Sequence, residues 1–343
     1  ALTLTDFIQD DRIFFPNAIN VTLPARNLDM PMAHHYSFAF EQQLNKNYAV
    51  SIAYVGTRGQ NLLRFETPNL GSSLTVAPTS LRTLPLPFGN QTRFIPTSLG
   101  RVINPNRPAS DLGAVNLFST TASSTYNALQ TEFRGRFSDS LDFQMSYTFS
   151  KVEDDVSDVF DLAGASALPQ NSFDLEAERA PANFDVRHRL AYNVIYNVPQ
   201  LGENFRYLKW LTDDLQMSSV GRFHTGQPFT INSLIDINLD GNLTDRLDSI
   251  NGLVVTGDGR QSLRLTTDNP FSLLASFGED GQIERNSFRA GKALELDLSV
   301  IKRWNFGDQN LQFRTDIFNF INRANFGVPV RFLEAPGFGR ATN

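Results

Sequence analysis

The sequence predicts an all-β protein, an antiparallel transmembrane β-barrel with long loops at one end. Three observations carry this expectation. Side chains alternate in polarity with period two along many segments, the connections are short and long in turn, and no apolar run of about 18 residues is present to form a membrane helix. Successive side chains of a strand point to opposite faces, so a strand crossing a bilayer should read apolar toward lipid and polar toward the lumen.

The alternation can be followed along the chain. Tyr36 to Leu44, Tyr48 to Tyr54, Asn127 to Phe137, Leu215 to Phe223 and Leu311 to Ile321 show it in weaker form. It is clear where Leu141, Phe143, Met145, Tyr147 and Phe149 alternate with Asp142, Gln144, Ser146, Thr148 and Ser150. Between Asp185 and Val198 one face carries Val186, His188, Leu190, Tyr192, Val194, Tyr196 and Val198. The other carries Asp185, Arg187, Arg189, Ala191, Asn193, Ile195 and Asn197. A helical period would mix these two sets. Leu294, Leu296, Leu298 and Val300 repeat the alternation against Ala293, Glu295, Asp297 and Ser299. Roughly eight strands of about 9 to 14 residues result, the length a tilted membrane strand needs.

Connections sharpen the expectation. Asn45-Lys46-Asn47, Ser138-Asp139-Ser140 and Gly307-Asp308-Gln309 are short polar turns, while residues 57–123, 152–183 and 226–290 form long stretches rich in Gly, Pro, Asn and Ser. Outer-membrane barrels have this asymmetry, with the long loops outside the cell. The link from Val198 to Asp214 is a longer turn with its own apolar residues, Phe205, Tyr207, Leu208, Trp210 and Leu211. Tyr36, Tyr48, Tyr54, Phe137, Phe149, Tyr196, Phe223 and Trp304 fall near predicted strand ends, where membrane barrels place aromatic girdles.

Composition removes several function classes. The 343 residues hold 41% apolar and 19% charged side chains, too apolar for a disordered chain, and 29 Phe, which suits pleated surfaces. With no Cys, disulfide frameworks, thiolate zinc sites and cysteine nucleophiles are excluded. A net charge of -6 and the lack of a basic stripe argue against nucleic acid as a partner. The chain starts at Ala1 without a leader-like segment and reads as a mature or internal piece.

Five segments resemble, in order, the TonB-dependent receptors of the Oar-like group, which carry a carboxypeptidase-regulatory-like domain before plug and barrel. They are FEQQLNKNYAVSIAYVGTRGQNLL (40–63), STYNALQTEFRGRFSDSLDFQMSYTFSKVEDD (124–155), AERAPANFDVRHRLAYNVIYNVP (177–199), FHTGQPFTI (223–231) and NSFRAGKALELDLSVIKRWNFGDQNLQFRTDIFNFINRANFG (286–327). The resemblance implies a barrel of about 22 strands with a plugged lumen, of which residues 1–343 form one partial barrel near the C-terminal end. It implies uptake of a scarce solute at the outer membrane, with lipid, the protein's own plug and TonB as partners. Regulatory-like domain, plug and TonB box are expected before Ala1, and a final strand after Asn343.

Candidate sites are few. Asp236, Asn238, Asp240, Asn242 and Asp245 surround Gly241 in the first half of a D-x-[DN]-x-[DN]-G pattern, which can wrap a calcium ion in six to eight oxygens. Position twelve is Leu247 rather than an acid, so closure falls to Asp245 or Asp248, and a plain solvated turn is the competing reading. No cofactor is required. Glu41, Glu132, Arg134, Arg136, Asp185, Arg187, Arg189, Glu295, Asp297, Arg314 and Asp316 are expected to face the lumen, either as solute or plug contacts or as cross-strand pairs of a wet wall. Asp154-Asp155, Asp213-Asp214 and Glu279-Asp280 are weak acid/base candidates, because adjacent strand residues point apart, and His34, His35, His188 and His224 lack zinc spacing. No nucleophile elbow, phosphate loop or dinucleotide fingerprint occurs, so an enzyme is not expected. Two rivals remain: a self-closing structural or adhesion barrel, and a soluble extracellular β-protein that binds carbohydrate. The soluble form requires its apolar rows to be packed away from the surface.

Overall fold

The computed structural model describes residues 8–9, 12–13, 19–69, 78–85, 92–99, 112–159, 167–200, 206–235, 237–238, 240 and 242–341. Eight long strands follow one another as hydrogen-bonded neighbours: β1 Met32–Gln43, β2 Tyr48–Glu66, β3 Leu112–Ser138, β4 Leu141–Asp154, β5 His188–Asn197, β6 Leu215–His224, β7 Ala293–Phe306 and β8 Gln309–Ile317. All these pairings are antiparallel. Two short segments complete a ten-stranded sheet: Ala180–Pro181 pairs with the end of β4, and Ile19–Pro24 runs parallel to the start of β3. Two long loops contain hairpins of their own, Pro78–Pro85 with Thr92–Leu99 and Leu253–Val255 with Leu263–Leu265.

Register carries one largely apolar face from β1 to β7. Phe40 pairs with Ile52, Ile52 with Thr131, Thr131 with Tyr147, Tyr147 with Leu190, Leu190 with Phe223 and Phe223 with Leu294. A slip of one residue anywhere would turn a strand's apolar set to the other face. Ten residues rise about 3.3 Å each, so at a tilt of about 45° β5 and β6 cross roughly 23 Å, close to the ~25 Å apolar band of such barrels. The apolar rows are bare: Phe38 is 74% exposed, and on inner strands Ile52 is 43% and Phe149 45% exposed. A water-soluble body would bury them.

Aromatic rings frame that face at both ends. Near the short turns Tyr48 packs against Phe137 at 5.2 Å between centroids and Phe137 against Phe143 at 5.6 Å. Toward the long connections Tyr36 and Tyr54 both donate to Asn127 Oδ1, at 2.9 and 2.8 Å, which satisfies an amide on an otherwise apolar face. Three tyrosines lie over glycines directly across the ladder: Tyr36 over Gly56, Tyr48 over Gly135 and Tyr192 over Gly221. A Cβ on Gly221 would collide with the Tyr192 ring. Gly221→Val is therefore expected to cost roughly 1–3 kcal/mol by overpacking. Ser218→Val, on the opposite face, should stay within about 0.5 kcal/mol. Urea midpoints in detergent measure the difference.

Several boundaries differ from the sequence expectation. Residues 57–66 and 112–123 are not loop but continuations of β2 and β3. Register shifts between Gly59 and Leu62 and again before Arg64, with Asn61 at φ 55°, break the period-two signal there. The segment expected over Leu311 to Ile321 ends at Ile317, and Asn319 and Asn322 turn at φ 49° and 51°. Asp185 and Arg187 precede β5 rather than belonging to it. The Val198 to Asp214 link contains a helix, α1 Arg206–Thr212, whose Trp210 ring lies tilted against Trp304 of β7, 5.7 Å between centroids.

Candidate functional site

The face opposite the apolar rows is polar, and it ends under an ordered cap. Gln130, Thr148, Arg189 and His224 form one row across β3 to β6, and Glu132, Ser146, Ala191, Arg222 and Glu295 the next row toward the short turns. Many expected inward charges sit here as structural pairs. Arg136 Nε donates to Asp142 at 2.8 Å, Gln144 Nε2 to Glu132 at 2.9 Å and Arg314 Nε to Asp316 at 3.0 Å. Asp297 accepts the Asn319 N–H at 2.8 Å. A cleft of about 800 Å³ lies on this face near the short turns, lined in part by Glu41, Glu132, Arg134 and Arg136.

The cap is built from connections expected to be long external loops. Phe229, Ile231, Ile235, Ile237, Leu247, Leu263, Leu273, Leu274 and Phe288 form a buried cluster with Leu333 and Phe338 from beyond β8. The chain after β8 docks by bridges from Asn232 to Phe332 and from Gln261 to Arg340. These apolar residues meet through tertiary contact at irregular spacing, so no period announces them.

Buried charges fasten the cap to the sheet. Asp185 is fully buried; its Oδ1 accepts the Val152 N–H of β4 at 2.8 Å, and its Oδ2 accepts Arg187 Nε at 2.9 Å and Arg289 Nη2 at 2.6 Å. Arg285 donates to Asp154 Oδ1 of β4 at 2.5 Å, to Ser157 Oγ at 3.0 Å and to the Glu178 carbonyl at 2.9 Å. Glu178 in turn accepts Arg246 Nη1 at 3.2 Å. Buried ions persist where partners satisfy them, so each of these contacts fixes one connection relative to another. Arg64, near the end of β2, is 2% exposed, with Nε and Nη2 lacking a hydrogen-bond acceptor.

The proposed calcium residues lie within this cap, except that Asp236 falls outside the described residues. Asp245 is buried and its carboxylate accepts the N–H groups of Ile237 and Asn238, both at 3.1 Å. Asn238 Oδ1 accepts the Asp240 N–H at 3.1 Å, Asp240 accepts the Asn242 N–H at 2.7 Å, and the Asn242 amide reaches Thr67 Oγ1 of the β2–β3 connection at 2.9 Å. Asp280 joins by accepting the Asn238 amide at 2.8 Å. Among the described residues no group of three His, Asp or Glu side chains is placed to hold a metal.

The acidic pairs hold structural bonds. Asp155 accepts the N–H and hydroxyl of Ser123, Asp213 the Gln200 amide and Asp214 the Asn305 amide. Sequence reading passed over Glu178, Arg246, Arg285 and Arg289 as site residues. Glu178 and Arg289 lie outside the eight long strands, in the quoted segments AERAPANFDVRHR and NSFRAG, where the period-two alternation is absent, and that absence was the available signal.

An exposed apolar face, a polar reverse face and an ordered cap define the wall of a membrane-spanning β-barrel. The chain belongs to the family described as outer membrane beta barrel domain, which matches residues 4–343. Family and exposed apolar face together point to the outer membrane of Gram-negative bacteria. Among solved structures the chain is similar to the outer membrane transporter YddB from Escherichia coli, at 12% identity and a TM-score of 0.45. That match covers 90% of this chain and 31% of the other, so the chain spans less than a third of that transporter's length. Among curated proteins no match is found.

Proposed function

We propose that this chain supplies lumen wall and solute-capturing cap to a TonB-dependent outer-membrane importer, within a barrel of about 22 strands filled by a plug. The observation that carries the reading is the cap. The polar face, which a passing solute would meet, ends beneath connections held by a hydrophobic cluster and by Arg285–Asp154 and Arg289–Asp185, not beneath free loops. Binding groups on loops held by a rigid scaffold are pre-positioned for capture. The charges on the wall act in binding and solvation, and no chemical step is assigned to them.

The test compares solutes removed from medium by wild-type cells, by cells lacking the full-length protein and by cells lacking TonB. The expected result is one solute class that persists equally in both deletion cultures. Equal depletion in all three would contradict energised uptake.

Calcium at Asp236, Asn238, Asp240, Asn242 and Asp245 is carried as a second proposal, resting on the spacing of these oxygen-bearing side chains around Gly241. Hard oxygen donors of this kind suit calcium. Calcium is expected to slow proteolysis of the cap in the full-length protein, and Asp240→Ala to remove that protection. A calorimetric titration showing no saturable heat would exclude the ion.

A further inference from the structure

Beneath the cap, on the polar face, lies a cavity of about 400 Å³ whose lining includes Tyr126, Gln130, Thr148, Phe184 and Arg189. That size suits a small solute. Phe184, contributed by the β4–β5 connection, is 52% exposed, and Tyr126 of β3 supplies a second ring. Arg189 stands directly across the ladder from His224, and Arg222 lies one step along the same face, opposite Ala191.

Both arginines are exposed on the polar face, and Arg189 has no acid across the ladder from it, its partners being Thr148 and His224. Like charges on neighbouring strands repel, and elsewhere the same face pairs its charges, as at Arg136–Asp142 and Arg314–Asp316. Neither Arg189 nor Arg222 takes part in an ion pair or side-chain hydrogen bond among the described residues. Glu295 sits across from Arg222 on β7, yet it is not bridged to it. His224 Nδ1 is engaged with the Thr225 carbonyl at 3.0 Å. The Arg189 guanidinium is thus left free beside two rings, a hydroxyl and an amide, and Arg222, outside the lining of the cavity, is the next arginine along the same face. Guanidinium groups match carboxylate and phosphate oxygens in geometry, and aromatic faces accept planar or ring-shaped bodies.

We propose that Arg189 and Arg222, with Tyr126 and Phe184, form a recognition site for a small anionic solute bearing a ring. Carboxylate or phosphate oxygens bind the two arginines, and the ring packs between Tyr126 and Phe184. The site rests on the uptake reading for its purpose, but binding can be measured without transport.

The test uses the full-length protein in lipid nanodiscs, with benzoate and inorganic phosphate as anionic probes and benzyl alcohol as the neutral match, followed by ligand-detected NMR. Benzoate is expected to bind saturably, and more tightly than benzyl alcohol. The double variant Arg189→Gln/Arg222→Gln should weaken benzoate at least tenfold and benzyl alcohol less than twofold, while Arg314→Gln on β8 changes neither. A double variant with an unaltered proteolysis pattern confirms that the cap is intact. Absence of saturable benzoate or phosphate binding overturns the proposal. So does a double variant that binds as the parent does, or one that merely melts earlier, which would place an acidic side chain of the same protein on the arginines. Binding to the site together with TonB-independent solute depletion would sink energised uptake and leave the site standing. TonB-dependent depletion unaltered in the double variant would do the reverse.

Discussion

An Arg285→Met protein is expected to keep its barrel strands and lose its cap. The Arg285 and Asp154 side chains are 8% and 3% exposed, and Arg285 also holds the Glu178 carbonyl and Ser157. Removing one member of a buried pair strands the other charge away from water, at a cost of about 3–5 kcal/mol. The loss falls on the cap, because Asp154 is the last residue of β4 and the ladder below it is complete without Arg285. Local unfolding of such a unit needs only its own stabilisation free energy, not that of the whole fold. Limited chymotrypsin digestion should then cut within 225–290 much faster than in the parent, while the strands stay protected and the protein remains heat-modifiable in detergent. Arg136→Met, which breaks a solvent-exposed pair, should leave the digestion pattern unchanged.

Val194→Arg is expected to be costly where Asn193→Arg is nearly free. The two residues are neighbours in the middle of β5, with Val194 in the apolar row beside Phe143 and Ser219 and Asn193 on the polar face beside Gln144 and Val220. A guanidinium at the lipid midplane costs about 2–4 kcal/mol, whereas the lumen face is wet and tolerates charge. Folding into vesicles of defined thickness, followed by urea titration, measures both. Similar costs for the two variants would mean that the strand faces have been assigned wrongly.

Most of the sheet was legible because a two-sided environment forces period two on the sequence. Leu141 to Ser150 and His188 to Asn197 could be placed from alternation alone, and their neighbours follow from the short turns between them. Legibility fails where that constraint ends. Beyond Arg58 on β2 the bulges at Gly59 to Arg64 scramble the faces, so a continuing strand reads as loop. The packing of the long loops into a cap is not legible because Ile231, Leu247, Leu273 and Leu333 converge from distant parts of the chain. Its anchors were partly visible: Asp185 stood out as an inward charge, but its buried role depends on Arg289, 104 residues away. Arg189 was placed on the polar face from the sequence, yet its isolation is a property of the register, which sets His224 and Arg222 rather than an acid beside it.

The central claim is that one side of each strand faces lipid and the other faces water. Spin labels placed singly from Arg189 to Tyr196 on β5 of the full-length protein in bilayers test it directly, through collision with oxygen, which concentrates in lipid, and with a water-soluble nickel chelate. Labels at 190, 192, 194 and 196 should favour oxygen, and those at 189, 191, 193 and 195 the chelate, with period two throughout. Equal access of both reagents along the strand, or rows shielded from both, would contradict the membrane-wall assignment.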